Sequence, residues 1–178
     1  MQIDQIIQHR RSHFVKEFTG DILPDVLINR LLENARWAPS HKLTMPWKLK
    51  VFGGSEKLNL CEKMEEYYLF NTPSEKFDQN KIDKIRTYKD KISHIISIGF
   101  KPSGLVPEWE ELAATAMAVQ NMWLTLTEEP HAAGYWTSGN GTGSEEMKLF
   151  TGLKKDDIQM GFFFLGYVEE KRFEAVRE

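Results

Sequence analysis

Arg10, Arg11 and Ser12 follow one another directly behind a short segment with isoleucines at positions 3, 6 and 7. Guanidinium groups fork onto phosphate or carboxylate oxygens, and an adjacent hydroxyl adds a donor, so this trio suits an anion clamp. It equally suits a solvated basic turn. A second chemical stretch covers residues 36–47, Arg-Trp-Ala-Pro-Ser-His-Lys-Leu-Thr-Met-Pro-Trp. Pro39 and Pro46 cannot donate a backbone hydrogen bond, and each pushes its predecessor out of the helical region. The segment between them, with His41 and Met45, is therefore predicted to be a stiff, irregular loop beside two tryptophans. Loops of that kind on a rigid scaffold carry sites, and a plain helix-to-strand connection with tryptophan plugs is the competing reading.

Several other chemistries fail on spacing. Glycines at 139, 141 and 143 sit between a short apolar run and a helical pattern, where a dinucleotide fold would cradle phosphates. They do not have the G-x-G-x-x-G spacing, and Glu145 and Glu146 would put negative charge where a phosphate needs the helix N-terminus. A tight turn fits better. Ser138 lacks the first glycine of a G-x-S-x-G nucleophile elbow. The histidines at 9, 13, 41, 94 and 131 have no ligand-type pairing with a carboxylate cluster, and His94 lies in an apolar run that suits the core.

Composition narrows the class. A chain of 178 residues with 41% hydrophobic and 28% charged content is expected to form one soluble domain over residues 1–178. A net charge of −3 argues against nucleic-acid binding as its main task. The single Cys61 excludes an internal disulfide and suits a reducing compartment. No apolar run reaches bilayer length, and the first residues lack the basic and apolar regions of a signal peptide, so a cytoplasmic protein is expected.

These residues need positioning. The spacing of Ile3, Ile6 and Ile7 predicts a short amphipathic helix leading into the arginines. Pro24 and Asp25 open a second helix with Leu27, Leu31 and Ala35 on its buried stripe. Trp47, Leu49 and Val51 alternate with lysines, as in a half-buried strand. Ser55 is a plausible cap for a helix carrying Leu58, Cys61, Met64 and Tyr68. Residues 72–91 are highly charged with few apolar anchors, which predicts a surface helix or mobile flap. Residues 92–100 read as a strand, and 108–129 as the longest helix, apolar nearly all round and so buried on most sides. Residues 132–136 form a brief strand, Thr142 with Glu145 fits a capping box, and 158–168 is the most apolar strand, placed centrally. The charged tail from 169 to 178 either lies free or reaches a partner subunit.

Five motifs then occur together: His9-Arg10-Arg11-Ser12; residues 36–42 with Pro46-Trp47; residues 106–111, Val-Pro-Glu-Trp-Glu-Glu; residues 134–139, Gly-Tyr-Trp-Thr-Ser-Gly; and residues 164–167, Phe-Leu-Gly-Tyr. Each is common alone. In this order and spacing, over almost the whole chain, they make the sequence resemble the nitroreductase family of flavin proteins, in particular its short members of the bacterial YdjA type.

The resemblance implies an α+β fold, a mostly antiparallel central sheet flanked by helices. It also implies a homodimer with a helical interface and one FMN at each end of that interface. Arg10, Arg11 and Ser12 would hold the FMN phosphate, ribityl chain and pyrimidine edge. His41 and Met45 would approach the same flavin from the other subunit, and Trp136, Thr137 and Ser138 would complete the cradle. The flavin carries the redox chemistry, so no catalytic side chain is required. NAD(P)H would deliver hydride to flavin N5, and a nitroaromatic, quinone or similar small acceptor would then take electrons in a ping-pong cycle. Other flavin chemistry, such as dehalogenation or flavin fragmentation, and a non-catalytic flavin-binding role stay open beside this. Met45 stands where many relatives have a polar amide, Phe14 where larger members carry a basic residue, and Pro130-His131 interrupts the approach to Trp136. The chain also lacks the helices that cover the pocket in larger members, which implies an open site.

Overall fold

In the computed structural model, residues 1–173 are described, and the last five residues of the predicted tail lie outside them. Eleven labelled elements follow in order: α1 (Ile3–His9), α2 (Asp25–Ala35), β1 (Trp47–Phe52), α3 (Gly54–Asn71), α4 (Gln79–Arg86), α5 (Tyr88–Lys91), β2 (His94–Phe100), α6 (Glu108–Glu128), β3 (Ala132–Thr137), α7 (Glu145–Phe150) and β4 (Ile158–Tyr167).

The strands form one sheet in the order β1-β2-β4-β3, with every neighbouring pair antiparallel. All of β2 is buried, as an inner strand between two helical layers requires, its polar His94 and Ser97 included. On one face, Ile96, Ile98, Phe163 and Leu165 pack against α2 and α6 through Leu31, Ala118 and Met122. On the other, Phe52, Ile95, Phe162 and Phe164 meet Leu60, Met64, Ile82 and Ile85 of α3 and α4. The expected α+β architecture is thus present, a sheet between two helical layers.

Four local expectations change. Helix α3 starts at Gly54 behind Gly53, one residue before the expected Ser55 cap, and it buries Leu60 with Cys61, Met64 and Tyr68 while Leu58 is exposed. The α7 cap is Ser144, whose hydroxyl accepts from the Met147 backbone N–H at 3.1 Å, not Thr142. The charged stretch 72–91 is no flap, because Ile82, Ile85 and Tyr88 are buried in the core. Finally, α6 is not covered on all sides within one chain: Trp109, Leu112 and Met117 are exposed, as are Ile3 and Ile7 of α1.

Candidate functional site

The α1 helix ends at His9, so Arg10, Arg11 and Ser12 leave it in extended backbone and run beside the sheet. Two bonds hold this segment: the His13 N–H donates to the Gly134 carbonyl of β3 at 3.2 Å, and the Trp123 indole N–H of α6 donates to the Arg11 carbonyl at 3.2 Å. The Arg10 guanidinium lies over the Trp123 ring, 4.6 Å from its centroid. Arg11 donates to the Gln8 and Arg10 carbonyls at 2.7 and 2.9 Å.

The C-terminal segment joins them, which the sequence did not indicate. Arg172 donates to the Ser12 carbonyl at 2.9 Å and to Glu17 at 3.0 Å. Arg11 also donates to the Phe173 carbonyl, and the Phe173 ring packs on His9 at 4.9 Å. Lys171 donates to the Leu126, Thr127 and Glu129 carbonyls, satisfying acceptors left open at the end of α6. Lys171, Arg172 and Phe173 therefore fold back over their own chain. The one available signal was the Lys171-Arg172 pair itself, which sequence distance hid. Three guanidinium groups, Arg10, Arg11 and Arg172, thus lie along the Ser12 segment, a cationic set that fits the phosphate of the implied FMN, while Lys171, its three N–H groups taken by carbonyls, anchors the tail.

Strand β3 runs past this segment: Gly134 meets His13, and Trp136, Thr137 and Ser138 follow two to four residues further along. The Trp136 indole is half-buried in the α2/α6 core, so it packs as well as lines. Thr137 and Ser138 lead into the glycine turn; the Thr137 hydroxyl accepts from the Gly139 N–H at 3.3 Å, and Thr142 donates to the Ser138 carbonyl. Phe14, exposed at the rim, makes an edge contact with Tyr135 at 5.0 Å.

His41 and Met45 lie elsewhere. Their loop packs at the start of α6, where the His41 Nδ1 is 2.5 Å from a Glu110 carboxylate oxygen. Glu110 and Trp123 are thirteen positions apart on α6, about 20 Å at the helical rise. One chain therefore does not bring His41 and Met45 to Arg10, Arg11 and Ser12. Met45 is more than half exposed.

Below Ser12, His13 is buried and 3.0 Å from Glu17. Burial lowers its pKa from the ordinary histidine value, outweighing Glu17, which raises it, while Arg172 and Lys171 lower it further. Burial also lowers His94, which sits 2.8 Å from the Ser93 hydroxyl. The sign follows from linkage. A histidine whose folded pKa is depressed binds fewer protons folded than unfolded, so its contribution is full above about pH 6.5 and is lost as pH falls through the folded value. We expect the melting temperature to drop progressively below that pH, and His13→Gln with His94→Gln to flatten the drop. An equal slope in the double variant would assign the acid sensitivity to other groups.

Among the described residues, no group of three His, Cys, Asp or Glu side chains is placed to hold a metal, and no helix is long and apolar enough to cross a membrane.

Comparison with known proteins agrees with this geometry. The proposed NAD(P)H nitroreductase YfhC of Bacillus subtilis (strain 168) is 25% identical over 168 residues, covering 93% of this chain and 84% of that one. The proposed NAD(P)H nitroreductase YdjA of Escherichia coli (strain K12) is 26% identical over 141 residues, 78% of this chain and 74% of its own. Among solved structures, a nitroreductase-like family protein from Bacillus cereus superposes with a TM-score of 0.82 at 23% identity, over 100% of this chain and 91% of that one. The FMN-dependent nitroreductase NfnB of Mycobacterium smegmatis, in complex with NADPH, gives a TM-score of 0.74 at 16% identity, over 98% and 93%. These two likenesses establish the fold. The sequence profile of the Nitroreductase family matches residues 7–167, nearly the whole chain. With its antiparallel sheet, its arginine segment beside β3 and that match together, the chain belongs to the nitroreductase family.

Proposed function

We propose that the protein is an FMN-dependent NAD(P)H oxidoreductase that reduces small acceptors such as nitroaromatics or quinones. The observation that carries this reading is the gathering of Arg10, Arg11 and Arg172 along the Ser12 segment, which is tied to Gly134 of β3 and Trp123 of α6. That donor set suits a phosphate monoester, and the names of YfhC, YdjA and NfnB support a nicotinamide-driven flavin reaction. When bound, FMN would supply the redox chemistry between NAD(P)H and the acceptor. Arg10, Arg11 and Ser12 hold its phosphate and ribityl end, with Trp136, Thr137 and Ser138 beside them.

The reading includes a homodimer, a single flavin-binding domain over residues 1–178, and a cytoplasmic location. The exposed apolar residues Ile3 and Ile7 of α1 and Trp109, Leu112 and Met117 of α6 support the dimer, since such surface on one chain calls for a partner. In the dimer His41 and Met45 of one subunit serve the flavin held by the other, which fits their distance from Arg10 within a chain.

The test is a visible absorption spectrum of the purified protein, followed by anaerobic addition of NADPH or NADH. A flavin spectrum that bleaches supports the reading; a colourless protein that refuses added FMN removes it. A shared site for donor and acceptor further predicts parallel initial-rate lines, and intersecting lines would exclude ping-pong turnover.

A further inference from the structure

The Val-Pro-Glu-Trp-Glu-Glu motif at 106–111 has no part in the phosphate cluster, yet it holds the loop of residues 40–45. That loop is strained: Lys42, Leu43 and Met45 have φ of 52°, 53° and 41°, left-handed conformations that side chains with a β-carbon disfavour. Three such residues within four positions persist only where surrounding contacts over-determine them, and they cluster at functional sites. The contacts here are specific. The Ser40 hydroxyl accepts from the Met45 N–H at 2.9 Å and pairs with the Thr44 hydroxyl at 3.0 Å. Lys42 donates to the Leu105 carbonyl at 3.0 Å, and the Lys101 N–H donates to the Pro46 carbonyl at 3.0 Å. Glu111, 1% exposed, accepts from the Ser103 N–H at 2.9 Å and so fixes the loop that carries Leu105.

Glu110 supplies the remaining tether, and it alone grips a side chain that the proposed function uses. Its carboxylate, 2.5 Å from His41 Nδ1, accepts that N–H and leaves Nε2 as the free ring nitrogen. The pair is not deeply buried, with the imidazole 58% and the carboxylate 24% exposed. Such a contact adds little to the stability of a single chain. Its effect is orientation: a rotating imidazole becomes one with a fixed tautomer and direction.

We propose that Glu110 is a positioning residue for His41, setting the ring that one subunit presents to the flavin held by Arg10, Arg11 and Ser12 of the other. This rests on the flavin reading above. The two glutamates of the motif then divide the work, Glu111 shaping the neighbouring loop and Glu110 aiming the ring.

The experiment is a double-variant cycle on FMN affinity, read by flavin fluorescence, with a melting temperature for each protein. E110A is expected to raise the FMN dissociation constant about tenfold, the scale of one lost hydrogen bond. H41A should do the same, and E110A with H41A together should be no worse than H41A alone. E110Q, which keeps an acceptor, should recover part of the loss. Additive effects, or an E110A protein that binds FMN like the parent while H41A does not, would overturn the proposal and leave the flavin reading standing. A parent protein that binds no FMN would overturn both. If E110A melts early, E110M with H41Q, which keeps the side-chain volume without an acceptor, completes the same cycle.

Discussion

Replacing Gly161 by alanine should destabilise the protein by roughly 2–5 kcal/mol, the sum of a left-handed backbone penalty and a forced overpacking. The φ of Gly161 is +118°, and a β-carbon there would stand 2.2 Å from the Thr137 carbonyl oxygen and 2.8 Å from the Ser138 Cα. The close approach has a cause in the sheet. Pairing between β2 and β4 slips at this point: Ile98 faces Gly161 and Gly99 faces Gln159, which leaves Met160 as the extra residue of a bulge. The bent strand brings its backbone directly under the chain leaving β3 at Thr137. Gly143 provides the comparison, with φ of +90° and open space around its missing β-carbon. Gly143→Ala should therefore cost only the backbone share, about 1–2 kcal/mol. Urea unfolding of both variants measures the difference. If Gly161→Ala is no worse than Gly143→Ala, the contact with Thr137 does not matter. Because Thr137 and Ser138 belong to the proposed cradle, Gly161→Ala should also weaken FMN binding, linking a strand irregularity to the site.

The strands were readable because burial leaves a direct mark on sequence. Alternation marks β1, one face of which is partly exposed; isoleucines and a phenylalanine on even positions mark β2, and a nearly continuous apolar run marks β4, its inner neighbour. Caps were harder. Around 53–55 and 142–144 several small or hydroxyl residues offer equivalent starts, and only backbone geometry selects Gly53 and Ser144. Of the two readings of 72–91, helix or flap, the helix holds, and Ile82, Ile85 and Tyr88, spaced among charges, suffice to anchor it once a core waits beneath them. The site divides in the same way. The residue types in Arg10, Arg11 and Ser12 announce anion chemistry by themselves. Arg172 reaches Ser12 from 160 positions away, and Glu110 reaches His41 from 69, distances over which no local pattern operates. Motifs name the chemistry; folding names the partners. The exposed faces of α1 and α6 carry the same lesson, since an all-round apolar helix marks burial without saying whether its own chain or a second copy supplies the cover.

Arg10→Ala should weaken FMN binding by about 1.5–3 kcal/mol, the range for hydrogen bonds to a charged group, or roughly ten- to more than a hundredfold in the dissociation constant. Arg10 emerges from α1 with its guanidinium over the Trp123 ring, an aromatic wall beside Arg11 and Ser12. That stacking orients the fork and limits the entropy lost when a phosphate binds. Arg10→Lys should recover only part of the affinity, because a point charge cannot reproduce planar, two-pronged contact. Ser12→Ala should cost less, since a neutral hydroxyl contributes about 0.5–1.5 kcal/mol. Titration of each apo variant with FMN, alongside its thermal melt, separates binding from folding. Salt sharpens the result: a charge-assisted contact weakens as ionic strength rises, so the gap between the parent and Arg10→Ala should narrow in high salt. Unchanged flavin affinity in Arg10→Ala would mean that the phosphate is held elsewhere. Arg172, folded onto the same segment from the other end of the chain, would then be the next cation to replace.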